Sequence, residues 1–238
     1  VHSGTPFKLE TENPQTEMFE PTVKGTENFL EAVSAAPTVQ KVVFIASIAA
    51  HNTHFPLGAE GRDADHLYTK ADTPFVSEAS NPYAQAKYHA DQVVRRFTQE
   101  HPNLPFEIVS VSPVIVVGQA LSARQDSTSM GMQFLIQNKI APNDFLQFLY
   151  DHDVELAMVD VDDVAEAVFQ AATTSGLHGK HYLLSSERWK VSDTSLMLNR
   201  QAPVGNPRQV VSGRLAQQEL GVRFKPAQVP LNQFGGDS

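Results

Sequence analysis

FEIVSVSPVIVVG, residues 106–118, is apolar almost without a break and rich in Val and Ile. A strand with one wet face would alternate. A continuous run of branched residues suits a strand covered on both faces, as in a parallel sheet. KVVFIAS (41–47) and KHYLLSS (180–186) have the same character. Helical patterns lie among these runs. GTENFLEAVSAA (25–36) repeats Phe29, Leu30 and Val33, PYAQAKYHADQVVRRFTQEH (82–101) carries Val93, Val94 and Phe97, and VAEAVFQAATT (164–174) is the third. Strands alternating with helices predict right-handed βαβ units, hence an α/β fold with a doubly wound, Rossmann-like parallel sheet. The polar stretch 52–80, with Pro56, Gly58, Gly61 and Pro74, reads as a functional lid or surface excursion. Residues 119–159 read as a mainly helical lobe and 187–238 as a second, irregular one with a frayed end.

The 238 residues allow one large domain, or one domain with a small appended lobe. At 41% hydrophobic and 19% charged, the chain can bury a sizeable core. Eighteen basic residues against 27 acidic ones give a net charge of −9, which disfavours general binding to nucleic acid or anionic membrane. Arg200, Arg208, Arg214 and Arg223 leave room for a local basic patch. The absence of cysteine excludes a disulfide framework, a thiolate metal site and a cysteine nucleophile, and agrees with a cytoplasmic location. No apolar run reaches the roughly 18–20 residues that span a bilayer, and the front has no signal-peptide pattern. The chain opens at Val1, and VHSGTPF reads as the end of a buried strand entering a loop, so it is expected to start in mid-fold.

The chemistry centres on NPYAQAKYHAD (81–91). Asn81 suits a helix cap and Pro82 the first turn. Tyr83 and Lys87 then share one face at i and i+4. Alone, such a pair is more often plain helix surface. Its neighbours give it weight. Ser47 ends a strand at the C-terminal edge of a parallel sheet, where ligands bind in such folds, and Pro113 closes the next strand. Asp160, Asp162 and Asp163 read better as a helix start than as a metal cluster, with Asp163 capping and Glu166 completing a capping-box-like pair. His51 and His54 have no evident third ligand, so no metal site is predicted.

In VHSGTPF, EPTVKGTENFLEA, KVVFIASIAA, NPYAQAK, SVSPVIVVG, VDVDDVAEA and LGVRFKP the chain resembles the extended short-chain dehydrogenases/reductases of the NAD-dependent epimerase/dehydratase superfamily. Within them it is most similar to the dihydroflavonol-reductase-like and yeast-type aldehyde/ketone reductases. The resemblance implies reduction of a small-molecule carbonyl with NADP or NAD as cofactor. Tyr83 would be the acid in reduction and the base in oxidation. Lys87 would favour the phenolate and hold the nicotinamide ribose, and Ser47 would bond the substrate oxygen. Thr5, Pro6, Pro113 and Val116 would border the cofactor with Tyr83 and Lys87, although Pro113 and Val116 equally suit strand-end packing. Phe7, Ile48 and Met130 would line the substrate pocket, or belong to the core.

The resemblance further implies a partial dinucleotide-binding domain over 1–118 and 155–186. A substrate lobe would take 119–154 and 187–238. A homodimer through the long helices is compatible with it. Two departures stand out. The family's Gly-x-x-Gly-x-x-Gly turn is absent, which implies N-terminal truncation and leaves KVVFIAS beside a strand from the missing half. Thr22 also stands near the place where many relatives carry Asn. A sugar-nucleotide epimerase or dehydratase is the nearest alternative, and the apolar run Ile48-Ala49-Ala50 disfavours it. A non-catalytic nucleotide-sensing or partner-binding remnant is the other.

Overall fold

All three apolar runs form strands in the computed structural model, which describes residues 1–6, 11–63, 65–120 and 128–235. The strands are β1 (Lys41–Ile45), β2 (Glu107–Pro113), β3 (Ile115–Val117), β4 (Glu155–Asp160), β5 (His181–Leu184) and β6 (Glu187–Lys190). The helices are α1 (Gly25–Ser34), α2 (Pro82–Glu100), α3 (Thr128–Asn138), α4 (Asp144–Asp151), α5 (Val161–Thr173), α6 (Val191–Leu198), α7 (Arg214–Leu220) and α8 (Gln228–Gln233). A parallel sheet runs in the order β1-β2-β5, with Lys41 opposite Glu107 and Ser110 opposite His181. The fold is α/β and Rossmann-like around this sheet.

The run 106–118 does not stay in one sheet. Pro113 is paired with Leu184 of β5, whereas Ile115 is paired with Met158 of β4. Proline donates no ladder hydrogen bond, so the change of partner falls where the ladder is already weakened. β3 and β4 run parallel and β6 returns antiparallel, making a second sheet. β4 and β6 lie in segments expected to be helical or irregular, and this corrects that expectation.

Three apolar clusters follow from this layout. Val109, Val111, Tyr182 and Leu184 pack at the centre of the first sheet. Burying such a side chain contributes about 1.5–3 kcal/mol relative to exposure. Leu30, Val33, Val93 and Val94 of α1 and α2 cover Val42 and Phe44 of β1. Leu149, Leu156, Met158, Trp189 and Met197 form the core beneath the second sheet.

Three other expectations change. Residues 52–80 are not simply a surface excursion. Ala59 and Tyr68 join the first core, and Tyr68 bridges to Val211. The edge of β1 is lined by the chain's own first residues. His2 N donates to Val43 O at 2.8 Å, and Ile45 N donates to His2 O at 2.9 Å. His2 then stacks on Phe29 at 4.3 Å. The cap of α5 is Asp160, whose Oδ1 accepts from Asp162 N at 3.0 Å. Asp163 lies one turn too deep for that role and instead accepts from Lys225 N at 2.7 Å. Lys225 Nζ reaches Asp160 at 2.7 Å and Asp162 at 3.1 Å, tying the C-terminal segment to this helix.

Candidate active site

Ser47 leaves the end of β1 in an extended conformation, φ −163°. Its Oγ accepts from Ala49 N at 3.2 Å and caps the short 3-10 turn Ile48–Ala50. Across from it, α2 begins as the sequence implies. Asn81 Oδ1 accepts from Tyr83 N at 2.8 Å, and Pro82 occupies the first turn. This cap fixes the turn that presents Tyr83, whose phenol is hydrogen-bonded to the Ser47 hydroxyl.

Lys87 lies one turn along and is buried. Its Nζ donates to Ile45 O at 3.1 Å and sits 5.9 Å from the centre of the Tyr83 ring. Ser47, Tyr83 and Lys87 thus meet at the C-terminal end of β1.

Electrostatics sharpen the picture. Burial lowers the Lys87 ammonium to about 8, because a charged amine is disfavoured away from water. Burial raises the Tyr83 phenol above its ordinary 10, and the Ser47 hydrogen bond only partly opposes it. The expected depression of Tyr83 by Lys87 is not what this arrangement gives. Desolvation outweighs the Ser47 hydrogen bond, and the phenol keeps its proton at neutral pH.

The other predicted positions are spread over both sheets. Pro113 is buried at the end of β2, and half-buried Val116 pairs with Val159. Thr5 and Pro6 are half-buried just past the His2 bridge. Ile48 belongs to the first core and also lines a small cavity with Phe55, Leu57, Tyr68 and Val210. Met130 packs against the core of the second sheet. Phe7 lies outside the described residues. Thr22 is fully buried in a π-helical segment, Gln15–Lys24, that packs against α2. Of the four C-terminal arginines, Arg208 is paired with Glu155 and Asp65, and Arg200, Arg214 and Arg223 are exposed.

Sequence reading passed over one buried group. His51 and His181 meet at 3.1 Å between their Nε2 atoms, beside Asp91 and Arg95 of α2. The four-residue spacing of Tyr83, Lys87, Asp91 and Arg95 was the available signal. Among the described residues no group of three or more His, Cys, Asp or Glu side chains is arranged to hold a metal ion. Nor is any helix among the described residues long and apolar enough to cross a membrane.

Known proteins share this architecture. The sequence model of the NAD dependent epimerase/dehydratase family matches residues 2–185. Cinnamoyl-CoA reductase of Medicago truncatula is 25% identical over 187 residues, 77% of this chain and 52% of that protein. The NADPH-dependent methylglyoxal reductase of Saccharomyces cerevisiae is 24% identical over 215 residues, 86% and 60% respectively. A ketoreductase of Aspergillus niger is 26% identical over 239 residues, 97% and 63%. The chain therefore spans about half to three-fifths of the length of these relatives. The crystal structure of yeast methylglyoxal/isovaleraldehyde reductase complexed with NADPH superposes with a TM-score of 0.78 at 20% identity. That match covers 98% of this chain and 74% of the other, and at this identity the likeness is one of fold.

Proposed function

Since the chain belongs to the NAD-dependent epimerase/dehydratase family, we propose that it is an NAD(P)H-dependent oxidoreductase that reduces a small aldehyde or ketone, of dihydroflavonol-like or simpler type, to an alcohol. The observation that carries this reading is the Ser47–Tyr83 hydrogen bond with buried Lys87 alongside. The reduced nicotinamide, when bound, supplies the hydride that reaches the carbonyl carbon. Tyr83 delivers its phenolic proton to the carbonyl oxygen. Its raised pKa keeps that proton in place until the oxygen becomes basic. Ser47 donates to the same oxygen and stabilises its developing charge. Lys87, a cation below about pH 8, stabilises the phenolate left behind.

The donor set suits a nicotinamide nucleotide. A lysine ammonium has three donors. One meets Ile45 O, and a ribose diol suits the others. Thr5, Pro6, Pro113 and Val116 are the proposed neighbours of that nucleotide, and Phe7, Ile48 and Met130 of the substrate. The buried apolar turn Ile48–Ala50 favours a hydrophobic carbonyl over a sugar nucleotide. The same set of relatives includes an anthocyanidin reductase of Vitis vinifera, 23% identical over 208 residues, which supports the flavonoid-like end of this range.

A panel of aldehydes, ketones and a dihydroflavonol with NADPH or NADH tests the proposal. Consumption of reduced nicotinamide is expected, and Tyr83→Phe should lower kcat by at least about 100-fold. Lack of turnover with every carbonyl, together with no binding of either nucleotide, would make the chain a non-catalytic member of its family.

A further inference from the structure

Below the Tyr83–Lys87 pair, α2 carries more ionisable groups. Tyr83, Lys87, Asp91 and Arg95 follow at intervals of four residues, so they climb one slowly turning face of the helix. Asp91 is only 3% exposed, an uncommon place for a carboxylate. Its Oδ2 accepts from Arg95 Nε at 2.5 Å, and its Oδ1 lies 3.4 Å from His181 Nδ1. Arg95 also reaches that ring nitrogen, at 3.3 Å. On its other edge, His181 Nε2 meets Ser112 Oγ at 2.7 Å and His51 Nε2 at 3.1 Å. The two imidazoles stand nearly perpendicular, 85° apart.

These groups come from the four pieces that frame the site. Asp91 and Arg95 share a helix with Tyr83 and Lys87. His51 closes the 3-10 turn that Ser47 opens. Ser112 precedes Pro113 on β2, and His181 begins β5. The chemistry proposed above uses none of them. Apolar side chains would often fill such a volume with equal or greater stability. Hydrogen bonds, in contrast to apolar packing, fix direction as well as distance.

We propose that Asp91, His181, His51 and Ser112 form a positioning chain that sets the rotation of α2 against the turn after Ser47, and so holds Tyr83 and Ser47 in register. The inference rests on the reductase reading of Ser47, Tyr83 and Lys87. Both neutral tautomers of His181 find partners: Nδ1–H faces Asp91, and Nε2–H faces Ser112 or His51. A doubly protonated ring would add a charge next to Arg95, with Lys70 also nearby. Asp91 and, toward His51, Asp72 are the carboxylates that face the pair. The chain is therefore intact when both rings are neutral, and burial keeps them so down to about pH 3.

Three variants of the intact protein test this: Asp91→Asn, His181→Gln and His181→Leu. Each should lower kcat for carbonyl reduction by about tenfold or more while KM changes by less than about threefold. Gln, which restores one donor and one acceptor, should be the mildest. The ionisation of Tyr83, read from tyrosinate absorbance as the difference from Tyr83→Phe, should move to higher pH in Asp91→Asn and His181→Leu. A merely structural cluster would lower the melting temperature and leave kcat and the Tyr83 titration unchanged, and that result would overturn the proposal. If the Leu variant does not fold, Asp91→Asn and His181→Gln carry the comparison. An inactive parent protein would sink the reductase reading instead, and the Tyr83 titration, which needs no turnover, would still decide the positioning role.

Discussion

A phenol held above its ordinary pKa is a weaker acid, but it stays protonated at neutral pH and so keeps a proton to give once a neighbouring oxygen becomes basic. Tyr83 is in that condition because burial acts on it more strongly than its hydrogen bond to Ser47. The direction of proton transfer should follow. The rate of carbonyl reduction is expected to be level through neutral pH and to decline above about 8, as Lys87 loses its proton. Alcohol oxidation, which starts from the phenolate beside the Lys87 cation, should rise toward pH 8 and then level off as Lys87 becomes neutral. The pH dependence of kcat/KM in both directions checks this, and a reduction rate that climbs above pH 8 would contradict it. Ser47→Ala removes the donor proposed for the carbonyl oxygen and should cost about 100- to 1,000-fold in kcat. That Ser47, Tyr83 and Lys87 would meet was legible in the sequence, because two of them share one helix and the third ends a strand at the C-terminal edge of the sheet. The His51–His181 contact was not, since its members lie 130 residues apart and each looks ordinary in its own segment.

Among the elements, α2 was the most legible, and its first turn shows why. Asn-Pro marks a helix start by local chemistry alone, and the start found is Pro82 with Asn81 as cap. Asn81→Ala should cost about 1 kcal/mol of stability, with Asn81→Asp or Ser nearly neutral. Urea unfolding of the three variants measures it, and equal stability of all would show that the cap contributes nothing. The same reasoning placed α5 but chose Asp163 over Asp160, because three acidic residues in four positions leave the cap ambiguous until the backbone is seen. β4 and β6 escaped for different reasons. β4 is a buried strand of six residues inside a segment rich in helical patterns. β6 reads Glu-Arg-Trp-Lys, which has no apolar run to announce a strand. The π-helical segment Gln15–Lys24 contains Pro21, a residue that argues against helix wherever it is met alone.

At the scale of the whole molecule, the buried histidines join the core of the parallel sheet to the surface of α2, so their titration belongs to global stability. Burial is the main reason both stay neutral, and the neighbouring cation of Arg95 acts in the same direction. Each is lowered from 6.5 to about 3 in the folded chain. Between those values the unfolded chain binds more protons than the folded one, so stability falls as pH falls. The slope approaches about 1.4 kcal/mol per pH unit for each histidine within that window. Carboxylates held low by partners, such as Glu107 beside Lys41 and Asp72 beside Thr69, add their own loss only near and below their ordinary values around 4. Acid sensitivity that begins near pH 6 is therefore assigned chiefly to His51 and His181, with a further share from His2, which burial also holds below 6.5. Urea unfolding from neutral pH down to about pH 4 should show a steep decline in the parent chain. The decline should be shallower in the double variant His51→Gln/His181→Gln, whose amides cannot take up the proton. If the two chains lose stability in parallel between pH 6 and 5, these two histidines are not the groups that titrate, and the acid limit of this fold lies with His2 and the carboxylates.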